Sequence, residues 1–318
     1  MEQILKIIPG NNLYVKCLYC KKLLYMNYGC KDCDPNRIIE GWTSGDSDID
    51  KFIKDTMYNA RNGGNGGKYL NWISHDKFVD ISQLYEDDFE KVYLATWLKK
   101  ESQPVKVTLK KFTESQNLTA ERLDEVFWQS FLVLSRDYSM LPLIYLFQLQ
   151  IKTHWNFNLN ESFSSKFYGM TKDPKTQEFI MVTHYGNQGD LRNFIKNKYN
   201  SLKWENKIEL LYNISKNLKD LHKSGYCHNN LYSGNIILDC HSKLDSKKET
   251  YTTYITNFRL TRKLDSITVP NDKVFGVLPY IAPHNVILGV LGQRPKISKM
   301  ALCVGPFAVY CFVISYAL

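Results

Sequence analysis

YCHNNLYSGNIIL, from Tyr226 to Leu238, is the stretch on which the fold turns. It gathers His228, Asn229, Asn230 and Asn235 around a serine–glycine pair. Just upstream, Ile208, Leu211, Tyr212, Ile214, Leu218 and Leu221 recur at helical spacing, and Leu191 to Ile195 begins a shorter helix. Further upstream the texture is β-rich. From Phe78 to Lys110, runs such as VYLATW and VKVTLKK suit a small antiparallel sheet, and Phe179 to Tyr185 is another apolar run closed by the turn Gly186 to Gly189. A sheet-rich half followed by a helix-rich half is α+β.

The chain has 318 residues, enough for one large domain with a small appendage. With 44% hydrophobic and 23% charged residues it has the profile of a folded soluble protein. The net charge of +9 comes from lysines and arginines spread along the chain, which suits a solvated surface better than a nucleic-acid footprint. MEQILKIIPG lacks the pattern of a secretory signal, so the expected setting is the cytoplasm, where thiols stay reduced.

Four of the eight cysteines, Cys17, Cys20, Cys30 and Cys33, form a C-x2-C-x9-C-x2-C pattern. Two such knuckles place four thiolates around one zinc, so residues 1–40 read as a zinc-ribbon-like segment with a structural metal. The loop residues Lys21, Lys22, Tyr25 and Tyr28 are too few to argue a nucleic-acid contact. Residues 41–77 read as a short amphipathic helix, capped by Ser47 or Asp48, and a flexible tether, RNGGNGGK. The domain boundary is expected there.

Three blocks then resemble the protein kinase superfamily, of the serine/threonine or tyrosine-kinase-like type. The opening stretch resembles the catalytic loop H-R-D-x-x-x-x-N, with His228, Asn229, Asn230 and Asn235 in register. YITNFRLTRKL, Tyr254 to Leu264, resembles the D-F-G segment, with Asn257, Phe258 and Arg259 in its place. LYEDDFEKVY, Leu84 to Tyr93, resembles the glycine-rich loop, with Tyr85, Asp87 and Glu90 where glycines are expected. VTLK, Val107 to Lys110, resembles the V-A-I-K strand, and FGVLPYIAP, Phe275 to Pro283, resembles the A-P-E block, with His284 in place of its glutamate. The resemblance spans roughly Phe78 to Pro283. It implies a two-lobed kinase-like fold over residues 78–318 with an incomplete C-lobe, Lys110 for the nucleotide phosphates, and Glu125 as the helix carboxylate that pairs with it.

The same resemblance implies that the chemistry is eroded. Tyr85 obstructs the close backbone approach that glycine permits. Glu86, Asp87, Asp88 and Glu90 put carboxylates beside the phosphates, each like-charge pair costing on the order of 1 to 4 kcal/mol. Asn257 stands where an aspartate would hold magnesium, and a neutral amide is a weaker ligand for a hard cation. Asn230 replaces the base that accepts the substrate proton, a loss of roughly 10²–10⁴ in rate. Asn235 remains as a second metal ligand. Together these argue against tight ATP and magnesium binding.

Two segments are unusual. Val126 to Gln148 is an apolar insert with Pro142, and excising it joins ERLDE to LQIKTHWNF as one helical sequence. Met300 to Leu318 runs 19 residues without a charge, at the lower end of a bilayer span, which makes a membrane-tethered form an alternative to a buried segment. The expected function is a pseudokinase, an interaction or scaffold module with protein partners. The alternatives are a weakly active ATP-dependent protein kinase and a zinc-dependent nucleic-acid-binding or membrane-tethered module.

Overall fold

Alternation along VKVTLKKF builds the centre of the sheet. Val107 and Leu109 point to one face, where they pack with Ile73, Phe78, Ala95, Ile180 and Val182; Phe112 points to the other. In the computed structural model the described residues are 14–17, 20–25, 30, 33, 41–62, 65–86, 90–99, 103–113, 143–160, 163–198, 200–242 and 249–263. Asp87, Asp88, Glu125, residues 126–142 and residues 264–318 lie outside them, and with them the A-P-E-like block and the uncharged tail.

The six-stranded sheet comprises β3 (Asn71–Trp72), β4 (Phe78–Glu86), β5 (Glu90–Trp97), β6 (Val105–Phe112), β7 (Phe167–Lys172) and β8 (Phe179–His184). Its order is β3-β7-β8-β6-β5-β4, antiparallel except for the β3–β7 pair. Gly169 in β7 is what admits that parallel strand, since a Cβ there would collide with the Asn71 backbone. At the opposite edge β4 carries two register shifts, a bulged and exposed edge strand.

Helix α1 (Ser47–Arg61) and helix α2 (Leu143–Asn160) cover one sheet face. Asp46, not Ser47 or Asp48, caps α1: its carboxylate accepts from the backbone of Asp48 and Ile49 at 3.0 and 2.9 Å. Its apolar side, Ile49, Ile53 and Met57, shares a core with Phe112, Phe147, Ile151 and Trp155. The glycine run after α1 therefore separates no two cores. Two residues beyond the RNGGNGGK run, Leu70 is fully buried. Helix α2 begins at Leu143, inside the stretch that had read as an insert ending at Gln148, and Phe147 packs on Phe112 with ring centroids 4.7 Å apart. The end of that stretch is part of the fold.

A second body follows. It holds α3 (Leu191–Lys198), α4 (Trp204–Lys223), β9 (Tyr226–Cys227), β10 (Ile236–Ser242), β11 (Glu249–Ile255) and β12 (Arg262–Lys263). Hairpin β10–β11 lies on α4, and β12 pairs with β9. Leu191, Phe194, Leu210, Ile214, Leu221, Ile236, Leu238 and Ile255 form its core with Phe157, Phe163 and Phe258. This is a mixed α/β arrangement, and no helix among the described residues is long and apolar enough to cross a membrane.

Candidate functional site

Lys110 is 8% exposed and lies opposite Met181 in the β6–β8 ladder. Directly opposed residues point the same way, and Met181 and Phe112 both pack on the helix side, so Lys110 is on the face that α2 covers. Lys106 shares that face but sits at its exposed end. Lys111 points to the other face and pairs with Asp173 at 2.9 Å and Glu178 at 2.8 Å. Burial alone would raise the Asp173 carboxyl, but Lys111 and the Lys175 and Thr176 amides outweigh it and hold it at about 2. Among the described residues Lys110 makes no ion pair.

Two buried histidines feel its charge. His154 of α2 is fully buried, with Nε2 2.7 Å from the Ser165 carbonyl, so that nitrogen carries the proton. Burial, opposed by the Ser165 carbonyl and assisted by the Lys110 charge, lowers it to about 3. His228 donates from Nε2 to the Thr256 carbonyl at 2.9 Å, and its Nδ1 accepts from the Asn230 backbone at 3.3 Å. Burial, partly opposed by Thr256 and assisted by Lys110, takes it to about 4. Both rings lie against Phe258, at centroid distances of 5.2 and 5.6 Å. Phe258 is the hub that joins α2 to the loop.

Sequence inspection missed Gln150. Glu125, the carboxylate expected opposite Lys110, lies outside the described residues. Gln150 has no exposed surface, and neither atom of its amide finds a partner. It sits three residues after Phe147, which touches Phe112, and four before His154, which senses Lys110. Positions three and four apart share a helix face, so Gln150 falls on the face of α2 that carries Phe147 and His154. The signal was present in the sequence as a glutamine among the apolar residues at the start of the helix, directly after the stretch that reads as an insert.

The loop itself is closed by amides. Asn235 is buried and donates from its side chain to the Asn230 carbonyl at 2.7 Å, while its own carbonyl accepts from Thr256 at 2.9 Å. Asn229 takes a left-handed backbone, φ 59°, and donates to the Leu260 carbonyl at 3.0 Å. Asn257 is left-handed too, φ 62°, and its side-chain oxygen is buried without a partner. Asn230 is half-buried. Loop 228–235 and turn 256–260 hold no carboxylate. The nearest in sequence, Asp239, is engaged by His184 at 2.6 Å and the Asn187 amide at 2.9 Å. On the β4–β5 hairpin, Glu90 is buried and Glu86 pairs with Lys91 at 2.7 Å, while Tyr85 is exposed.

At the N-terminus a short hairpin, β1 (Tyr14–Lys16) with β2 (Leu23–Tyr25), carries the first cysteine knuckle. Lys21 donates to the Cys17 carbonyl at 3.0 Å with φ 62°, and Cys33 donates to that of Cys30 at 3.1 Å. The four sulfurs of Cys17, Cys20, Cys30 and Cys33 all lie within 4.8 Å of one another, and Cys20 and Cys30 are 3.6 Å apart. Tetrahedral zinc with Zn–S of about 2.3 Å needs sulfur separations of about 3.8 Å, so the donor set fits. Burial, then the Cys20 and Cys30 sulfurs, push the Cys33 thiol up to about 12. Four thiolates at this spacing call for a divalent cation to offset them. A zinc held here would cross-link two knuckles in a segment with little core.

Residues 158–287 match the model of the protein tyrosine and serine/threonine kinase family. The chain is 30% identical over 134 residues to a tyrosine-protein kinase receptor of Caenorhabditis elegans, covering 42% of this chain and 11% of that protein. It is 26% identical over 122 residues to a probable serine/threonine-protein kinase of Dictyostelium discoideum, covering 38% and 12%. The matched region begins at the end of α2 and takes in β7 to β12. The chain thus carries a kinase-like domain and a four-cysteine cluster able to hold a metal.

Proposed function

We propose that the chain is a pseudokinase, an interaction or scaffold module built on a kinase-like domain. The carrying observation is the absence of any carboxylate from loop 228–235 and turn 256–260, where four asparagines stand. By resemblance Asn230 occupies the place of the base and Asn257 that of the main magnesium ligand. An amide accepts no proton at neutral pH and holds magnesium weakly. The Asn235 side chain already donates to the Asn230 carbonyl, which supports a closed loop rather than an open metal site. Protein partners and a cytoplasmic setting go with this reading; the zinc-ribbon-like segment is its structural appendage.

The second reading is a weakly active protein kinase, favoured by the kinase names of the relatives and by the buried Lys110. One experiment separates the two. Ligand at 100-fold excess over its dissociation constant stabilises a fold by about 2.7 kcal/mol, a visible melting shift. No shift is expected with millimolar Mg-ATP, and no phosphoryl transfer above a Lys110→Ala control. A magnesium-dependent shift with Lys110-dependent transfer overturns the pseudokinase reading.

A further inference from the structure

Helix α4 is apolar on more than the side it buries. Leu210, Ile214 and Leu221 enter the core, whereas Trp204, Ile208 and Tyr212 form a separate stripe that is 54%, 47% and 67% exposed. Positions four apart advance by about 40° around a helix, so the three make one ridge about 12 Å long. On the same side in the later turns, Lys216, Lys219 and Lys223 are all exposed. At the other end exposed Lys203 directly precedes Trp204. The Lys198 carbonyl accepts from the Ser201 and Leu202 amides at 3.0 and 2.9 Å, a tight turn that keeps exposed Lys198 near the start of α4. Arg192 and Lys196 of α3 are exposed as well. From Arg192 to Lys223 the sequence holds eight lysines and arginines against three acids, a net of +5 in a chain whose total is +9.

We propose that this face docks on an anionic lipid surface, with Trp204, Ile208 and Tyr212 set into the headgroup layer and the lysines lying over the lipid phosphates and carboxylates. Tryptophan and tyrosine join an apolar ring to a polar N–H or O–H, the combination favoured where hydrocarbon meets water. Lysine carries its ammonium on a long apolar stem and reaches headgroups from the rim of the stripe. The surplus positive charge is drawn to an anionic leaflet within a Debye length, before any side chain inserts. A folded protein partner fits less well, because a stable interface buries about 800 Å² on each side and three side chains supply far less. Glu205 and Glu209 lie at the polar margin of the stripe and Asp220 is half-buried, so the acids weaken the field without interrupting the ridge. The opposite side of α4 is fixed in the core, so the helix rests on the surface and does not span it.

The test uses the full chain and co-sedimentation with phosphatidylcholine vesicles, prepared with and without phosphatidylserine. Binding is expected with phosphatidylserine and is expected to weaken as salt is raised. Trp204→Ala with Tyr212→Ala, and separately Lys216→Glu with Lys219→Glu, should each lower the apparent affinity by about tenfold. Lys175→Glu, exposed on the turn between β7 and β8, should leave it unchanged. All the substituted side chains are exposed, and an unchanged melting temperature checks that each variant is folded. Equal binding to neutral vesicles overturns the proposal. Binding that survives both pairs of substitutions also overturns it, and moves the attachment elsewhere, Met300 to Leu318 included. So does the absence of vesicle binding, whatever RNA or acidic protein the same lysines then hold.

Discussion

His154 and His228 are neutral in the fold because burial outweighs the carbonyls they bond, and their charged forms would also face Lys110. Their values of about 3 and about 4 lie well below the ordinary 6.5 of the unfolded chain. Below pH 6.5 the unfolded chain therefore binds protons that the folded chain refuses. Stability is fully present above that pH and is lost as pH falls towards 4, by up to about 1.4 kcal/mol per pH unit for each histidine. Asp173, held at about 2, gives up its contribution only at lower pH and does not blur this window. His154→Gln keeps a donor for Ser165 and has nothing to titrate. His222, also lowered by burial, adds to the same response, so urea unfolding of this variant between pH 7 and pH 4.5 should show a pH slope smaller than wild type by roughly a third to a half. An unchanged slope would remove His154 from the acid response.

At the scale of elements, the pairing of β6 with α2 carries the next expectation. Gln150→Glu would place a carboxylate on the face towards Lys110. Burying a second charge costs about as much as the ion pair returns, so net stability should change little. The coupling is the informative quantity: a double-mutant cycle with Lys110→Met should give about 1 to 3 kcal/mol, and one with Lys106→Met none. Zero coupling to Lys110 would separate the two side chains. Strands β4 to β6 and helices α3 and α4 were legible because period-2 and period-3.6 patterns dominate them. The periodicity was less reliable for facing: Ile208 and Tyr212 share the spacing of the buried Leu211 and Ile214 yet are 47% and 67% exposed. Neither β3 nor the start of α2 was legible. Two residues of a parallel edge strand carry no period, and an apolar helix with Pro142 before it looks like an insertion. The loop asparagines were read from order alone, whereas Gln150 needed the contacts of Phe147 and His154 to be found.

Across the whole molecule, the metal cluster and the kinase-like domain differ in what holds them. Among the described residues, three apolar clusters are drawn from many elements. The ribbon has a two-strand hairpin of three residues per strand and two buried cysteines, Cys17 and Cys30. So small a unit would gain most of its folding free energy from a bound metal, on the order of 10 kcal/mol for a structural zinc at neutral pH. Cys30→Ser removes one of four ligands and leaves the domain core untouched. Purified protein should contain about one zinc per chain, and the Cys30→Ser variant should lose it. A strong chelator should abolish protection of residues 14–25 in hydrogen exchange while the melting of the sheet and of α4 stays where it was. An ordered hairpin in metal-free protein would show that the four thiols need no cation. A parallel collapse of both parts would show instead that the ribbon and the domain fold as one unit.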